Sequence, residues 1–330
     1  KASGIQYISR FYGEQNHDPQ QAIHSLGTNA SRLLRALAPE ALEHAGFQPD
    51  RYQIRFAKSA YLLAELPLGE FYQQRYGAPL VNFAVHTLAA YLEEQLGMPM
   101  AAATALKNIE ASHELSVLTT PESAPTLQHE DASFLIYHAR LPEHPLRKAN
   151  VLWRGDGQYV EQLSDQTSVH FRFVTRADRP FEPEQWHHSL QPALAAKEAV
   201  GGVAAKTYAA SDRLFAGRVA LLHSAIAPQL APRVDAANTA LEDAWVLSRM
   251  MENYEEDIGD GLAAFERFRR PRHRKVALHM RDHLSRFTEP SAGKRALQHV
   301  GTALQNRLLP ELALAQQDWL YEPDVIKCFL

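Results

Sequence analysis

A short apolar run that feeds through a proline-bearing turn into a long amphipathic helix constrains this chain more than any other stretch. Residues 219–222 read as a buried strand, Pro228 and Pro232 punctuate the turn, and a helix opens near Asn238 or Thr239. Either residue is able to cap free backbone N–H groups, and Glu242 and Asp243 follow in the first turns, where acids suit the helix dipole. A strand running into a helix N-terminus is a common seat for an anionic or polar group. Such a unit belongs to a chain of mixed α and β structure, so the fold class read here is α/β, with α+β character.

Nothing in the composition opposes that reading. The 330 residues are enough for a large core and one to three domains; 45% hydrophobic and 22% charged residues are ordinary for a globular protein. A net charge of −4 implies no polyelectrolyte partner, so nucleic acid is not expected. No apolar run approaches the roughly 18 residues of a membrane span. The single cysteine, Cys328, has no internal disulfide partner, and the compartment reads as cytoplasmic. The chain opens on Lys1 rather than Met with no secretory pattern after it, which points to a missing or processed N-terminus.

Along the chain, residues 4–12 alternate as a strand and 22–26 form a second apolar piece. Thr28 and Asn29 are placed to cap a helix whose Leu33, Leu34, Leu37 and Leu42 share a face, ended by Gly46. Strands follow at 51–55 and 62–69, a helix at 89–96, and strands at 133–137, 151–153, 159–163 and 168–175. Residues 184–198 suggest a helix broken at Pro192, 262–287 a basic helix kinked at Pro271, and 303–320 a last helix.

Several of these segments carry a resemblance. Gly217, Arg218, Val219, Leu221 and Leu222, with Asn238, Ala240, Leu241, Glu242, Asp243 and Ala244, match the frame G-R-V-x-L-L-G-D-A-A-H followed by N-x-A-L-E-D-A. Residues 26–37 are similar to G-x-N-A-x-R-x-L-x-x-L, 265–272 to Y-E-x-x-R-x-P-R, and 318–321 to D-W-L-Y. Together they resemble the FAD-dependent aromatic hydroxylases, the flavoprotein monooxygenases related to p-hydroxybenzoate and salicylate hydroxylase. The resemblance implies a truncated or degenerate FAD-binding Rossmann-like domain, an inserted β-sheet substrate domain and C-terminal helices. It assigns 1–60, 84–150 and 215–290 to the FAD-domain-like part, 61–83 and 151–214 to the substrate sheet, and 291–330 to a C-terminal helix.

The frame is kept, but the residues that would meet a cofactor are not. The family's Gly-Asp falls on His223 and Ser224, and its glycine-rich turn on Asp235 and Ala236; Asn238 is retained. The family's V-H-R-A-D-L falls on 84–88, placing Val85 and Thr87 at its Arg and Asp. Its L-x-G-A-D-G-x-x-S-x-V-R falls on 135–147, where the Asp-Gly is lost. The sequence has no G-x-G-x-x-G, whose glycines let backbone approach a pyrophosphate. The cofactor-binding candidates His223, Ser224, Ala236 and Asn238 are therefore family positions, and no cofactor is expected; FAD is the one to look for.

Other groupings have plain readings. His279 and His283 have metal-like helical spacing without a carboxylate motif, so no metal is expected. Adjacent His187 and His188 point to different sides, and the basic run 267–275 reads as a salt-bridged helix face. His223, Ser224 and Asp235 are triad residue types without a nucleophile elbow. His170 and Arg172 share one face of a substrate-sheet strand, either lining a pocket for an acidic aromatic ligand or alternating toward solvent.

Three functions stay open. The first is a descendant of the hydroxylases that has lost FAD and binds a small apolar or aromatic ligand, performs a cofactor-free conversion, or supports a monooxygenase partner. The second is an active FAD- and NAD(P)H-dependent aromatic hydroxylase with non-standard contacts. The third is a structural protein that binds another protein or pairs with itself. Whether the chain is an enzyme is left undecided.

Overall fold

The computed structural model describes residues 23–96, 115–118, 129–179, 181–198, 203–208, 213–222, 236–289, 291–308 and 310–329. The strand read at 4–12 and the segment 223–235 lie outside these residues. In chain order the elements are β1 (Ile23–Leu26), α1 (Thr28–Leu37), α2 (Pro39–His44), β2 (Arg51–Phe56), β3 (Leu62–Pro67), α3 (Gly69–Tyr76), β4 (Val81–Ala84) and α4 (Val85–Leu96). Then come β5 (Ser116–Leu118), β6 (His129–Leu141), β7 (Ala149–Arg154), β8 (Tyr159–Ser164), β9 (Val169–Arg176), α5 (Gln191–Glu198), β10 (Val203–Tyr208), β11 (Phe215–Ala216) and β12 (Val219–Leu221). Four helices close the chain: α6 (Ala236–Asn253), α7 (Ile258–Phe287), α8 (Ala292–Leu308) and α9 (Pro310–Tyr321).

A seven-stranded sheet in the order β10-β6-β9-β8-β7-β2-β3 dominates, antiparallel except where β2 runs parallel to β7. Alternation along its strands feeds two cores. Val151, Trp153, Val160, Phe171 and Phe173 face α5 and Trp186. Leu152, Tyr159 and Val174 face the other way, toward α3, α7 and α9, where Tyr72, Val276, Met280 and Tyr321 meet them. A three-stranded sheet, β11-β12-β5, packs under α6 and α7, and β1 pairs antiparallel with β4. Arg32 of α1 ties remote segments together, donating to the carbonyls of Tyr321 at 3.0 Å, Glu322 at 3.0 Å and Pro323 at 2.8 Å, and also to that of Tyr76.

The mixed α/β class holds, but the sheets divide the chain elsewhere than expected. Both β2 and β6 lie in the large sheet, although 1–60 and 84–150 were assigned to the other part. The strand running parallel beside β12 is β5, and the strand read at 133–137 lies within β6 of the large sheet. Proline accounts for two local differences. Pro192 starts α5 rather than breaking a helix, because a first-turn proline has no N–H to lose. Pro310 separates α8 from α9, where one helix was read. Pro271 sits inside a continuous α7. Gly27, not Thr28 or Asn29, is the N-cap of α1, and the first helix ends at Leu37, well before Gly46.

Candidate functional site

Two neighbourhoods bear on function. The first is the junction of β1, α1 and α6, where the retained Asn238 stands. Helix α6 opens at Ala236, two residues before Asn238, so that side chain does not cap its own helix. Instead its amide oxygen accepts the Gly27 N–H at 2.5 Å, and its NH₂ donates to the Ser25 carbonyl at 3.1 Å. Asn29 donates to Glu242 at 2.5 Å, and Thr28 donates to the Tyr321 carbonyl at 2.8 Å. A Cβ on Gly27 would stand 2.4 Å from the Tyr321 ring, so the space above this turn is filled.

Behind the junction lies a buried charge cluster. Arg269 of α7 bridges Glu242 and Asp243 of α6 at 2.6 Å each; Arg272 reaches Glu242 at 3.0 Å and His273 reaches Asp243 at 2.8 Å. Burial alone would push the Glu242 carboxyl up, but Arg269 and Arg272 overcome it and hold the carboxyl below its ordinary value. Burial likewise opposes the charge on Arg269, while Asp243 and Glu242 hold it above its ordinary value. The basic run is thus ion-paired as read, yet Arg269 and His273 are buried rather than on a solvated face.

A dinucleotide needs main-chain N–H groups left open to its phosphates. Among the described residues of this junction, the Gly27 N–H and the Asn238 amide are spent on each other. The Asn29 amide oxygen is buried without a partner at this corner, an acceptor that repels an anion. The Gly27 N–H and the Asn238 amide are therefore not open to a pyrophosphate. His223, Ser224 and Asp235 lie outside the described residues, so the grouping of triad types does too. Val85 opens α4 directly after β4.

The second neighbourhood is the helix-side face of the large sheet. Cross-strand register places His138 of β6, Arg172 of β9 and Glu161 of β8 in one row. Arg172 forms an ion pair with the buried Glu161 and keeps about a quarter of its side chain exposed, 26%. The next row along, Ile136, Val174 and Tyr159, is apolar and belongs to the core. Polar and apolar rows therefore abut on one surface.

His170 does not join Arg172 in lining a pocket, although both lie on that face. Its Nε2 pairs with Asp165 at 2.8 Å, and the same carboxylate accepts the N–H groups of Thr167 and Ser168 at 2.7 Å each, closing the β8–β9 turn. Against the upward push of burial, these bonds hold the Asp165 carboxyl well below the usual carboxylate range. His170 is a buried turn anchor. The row of Arg172 was half legible, since alternation put Arg172 on a face but gave no register with His138 and Glu161.

The remaining histidines sort plainly. His187 and His188 have ring centroids 4.0 Å apart, because a short 3₁₀ turn at His188 does not alternate as a strand would. His279 and His283 stack at 3.9 Å, with Trp319 against His279. No group of three metal-ligating side chains occurs among the described residues, and no described helix is long and apolar enough to cross a membrane.

No protein-family model matches the chain. It is 26% identical to the 3-amino-4-hydroxybenzoate 2-monooxygenase PtmB3 of Streptomyces platensis, over 86% of this chain and 83% of that one. A second monooxygenase of that name and organism, PtnB3, is 28% identical over 48% of this chain and 44% of its own. Among solved structures, Klebsiella pneumoniae HpxO complexed with FAD and uric acid superposes with a TM-score of 0.73 at 17% identity, covering 91% of this chain and 88% of that one. A salicylate hydroxylase substrate complex does so with a TM-score of 0.63 at 16% identity, covering 92% and 88%. By sequence likeness and by its mixed α/β architecture with C-terminal helices, the chain is monooxygenase-like and resembles the FAD-dependent aromatic hydroxylases.

Proposed function

We propose that this monooxygenase-like chain works without FAD and holds a small aromatic acid against the helix-side face of its large sheet. The observation that carries the first half is the closed junction at Asn238, whose amide is spent on Gly27 and Ser25 instead of facing a cofactor. The internal exchanges of Gly-Asp for His223 and Ser224, and of a glycine turn for Asp235 and Ala236, point the same way. For the second half, the partly exposed Arg172 supplies a cation in register with the half-buried His138 and near the half-buried Ile136, a polar and apolar pairing suited to a ring bearing a carboxylate. Ligand binding, a cofactor-free conversion and support of a monooxygenase partner are each served by such a site.

An absorption spectrum of freshly purified protein, followed by titration with FAD, tests this reading. The protein is expected to be colourless and to take up no FAD at micromolar concentrations. Flavin absorbance near stoichiometric occupancy would overturn the reading. It would favour the second one, an FAD- and NAD(P)H-dependent aromatic hydroxylase, which the likeness to the monooxygenases PtmB3 and PtnB3 supports. In that case FAD supplies the oxygen chemistry, and the sheet face keeps its role of orienting the aromatic acid.

A further inference from the structure

Helix α8 is amphipathic in the wrong sense for a helix that only packs on a sheet. Its inward face is polar and paired. Arg295 meets Asp156 at 3.1 Å and the Glu289 carbonyl at 3.1 Å, Gln298 accepts from Arg154 at 2.9 Å, and Asn306 accepts the Glu65 N–H at 3.2 Å. The outward face carries Leu297, Val300, Leu304 and Leu308, and Leu312 extends the line onto α9. These five side chains are 46–74% exposed. The spacing of three and four residues sets the four side chains of α8 on one strip, and Leu312 follows beyond the break at Pro310. A surface helix ordinarily turns such a strip toward the core.

We propose that this strip is the contact between two copies of the chain, with the two α8 helices crossing antiparallel about a two-fold axis near Gly301. Area, backbone access and charge select a second copy. The strip offers on the order of 500 Å² of apolar surface per chain, so two copies bury about 1,000 Å², the floor for a specific interface. Gly301 lies mid-strip, and a Cβ there would meet nothing within 4 Å, which leaves room for two backbones to approach closely. The exposed cations Lys294 and Arg307 fall on opposite flanks of the strip by helical geometry. An isologous antiparallel pair brings each flank against its own reversed copy, so the two cations are not set against each other. A helix that lies on a bilayer is rich in cations along its polar face, and these two make a poor row.

Sedimentation equilibrium of the wild type, Leu297→Glu, Leu304→Glu and Leu304→Gln tests the proposal. Leu278→Glu serves as the control, an exposed leucine of α7 outside the strip. The wild type and the control are expected at twice the mass of a single chain. The glutamate variants are expected at the mass of one chain, with a dissociation constant raised at least 100-fold. Leu304→Gln, the milder change should a glutamate variant misfold, is expected to weaken pairing about tenfold, and far-UV circular dichroism checks each fold. A wild type at single-chain mass, or folded strip variants that pair like the wild type, would overturn the proposal. So would a single-chain wild type that sediments with phosphatidylglycerol vesicles through Leu304, which assigns the strip to a membrane surface.

Discussion

The side-chain oxygen of Asn238 lies 2.5 Å from the main-chain nitrogen of Gly27, a contact between residues 211 apart in sequence. With the donation to Ser25, it fastens the first turn of α6 to the strand-to-helix corner at β1. In this position an asparagine retained from a cofactor-binding frame acts as a main-chain tie.

Asn238→Ala leaves the Gly27 N–H and the Ser25 carbonyl unpaired at a closed junction. A loss of roughly 2–3 kcal/mol of folding stability is expected, read from urea denaturation. Asn238→Asp is expected to lose about as much, since a carboxylate cannot donate to Ser25. Wild-type stability in either variant would mean that the tie is idle.

Removing Arg269 leaves Glu242 with Arg272 and Asp243 with His273 as their remaining partners in the buried cluster. Arg269→Met is expected to cost about 3–5 kcal/mol. Its pH dependence has a definite sign. Because Arg269 and Arg272 hold the Glu242 carboxyl below its ordinary value, the stabilisation is complete above the unfolded carboxylate pKa, about 4.3, and is lost as pH falls through the lower folded value. Without Arg269 the acid transition should move to higher pH, as thermal melts across the acidic range will show.

Arg172 and His170, one strand position pair apart, should respond differently. Arg172→Gln is expected to weaken salicylate binding at least tenfold by calorimetry and to lower the melting temperature as well, since it leaves the buried Glu161 without its cation. His170→Gln unpins the Asp165 turn, so it should lower stability by about 1–3 kcal/mol and act on binding only through that loss. Equal effects on binding in two equally stable variants would remove the distinction.

Burial, reinforced by Arg154 and Arg295, pulls His299 down to about 4. The unfolded chain takes up a proton there near pH 6.5, whereas the folded one resists until about pH 4. Stability should therefore fall as pH drops from 6.5 toward 4, before the carboxylate cluster titrates. Replacing His299 with Gln is expected to flatten that part of the profile in pH-dependent melts.

What the sequence revealed depended on how local each signal was. Strands β7, β8 and β9 were legible because Val151, Trp153, Phe171 and Phe173 alternate with residues facing the opposite core. The prolines were visible, but their effect was misjudged at Pro192 and Pro310, since position within a turn decides whether proline starts or stops a helix. Glu242 and Asp243 were read as partners of their own helix dipole. Their real partners, Arg269, Arg272 and His273, lie 26 to 30 residues further on, with nothing local to announce them. The two motif frames that carry these residues were each recognised, but only tertiary packing shows that they interlock. Likewise, no pattern within β6, β8 or β9 sets the register that aligns His138, Arg172 and Glu161.

Arg32 gathers carbonyls from the ends of α3 and α9, bridging as many as 291 residues of chain. During synthesis α1 is made well before α9 and must wait for it before that guanidinium finds its full set of acceptors. Loops this long close late, so the latch should belong to the slow, final stage of folding. A helix held open for a distant partner also gives a check on assembly: until α9 arrives, the corner beside Gly27 has no Tyr321 to roof it.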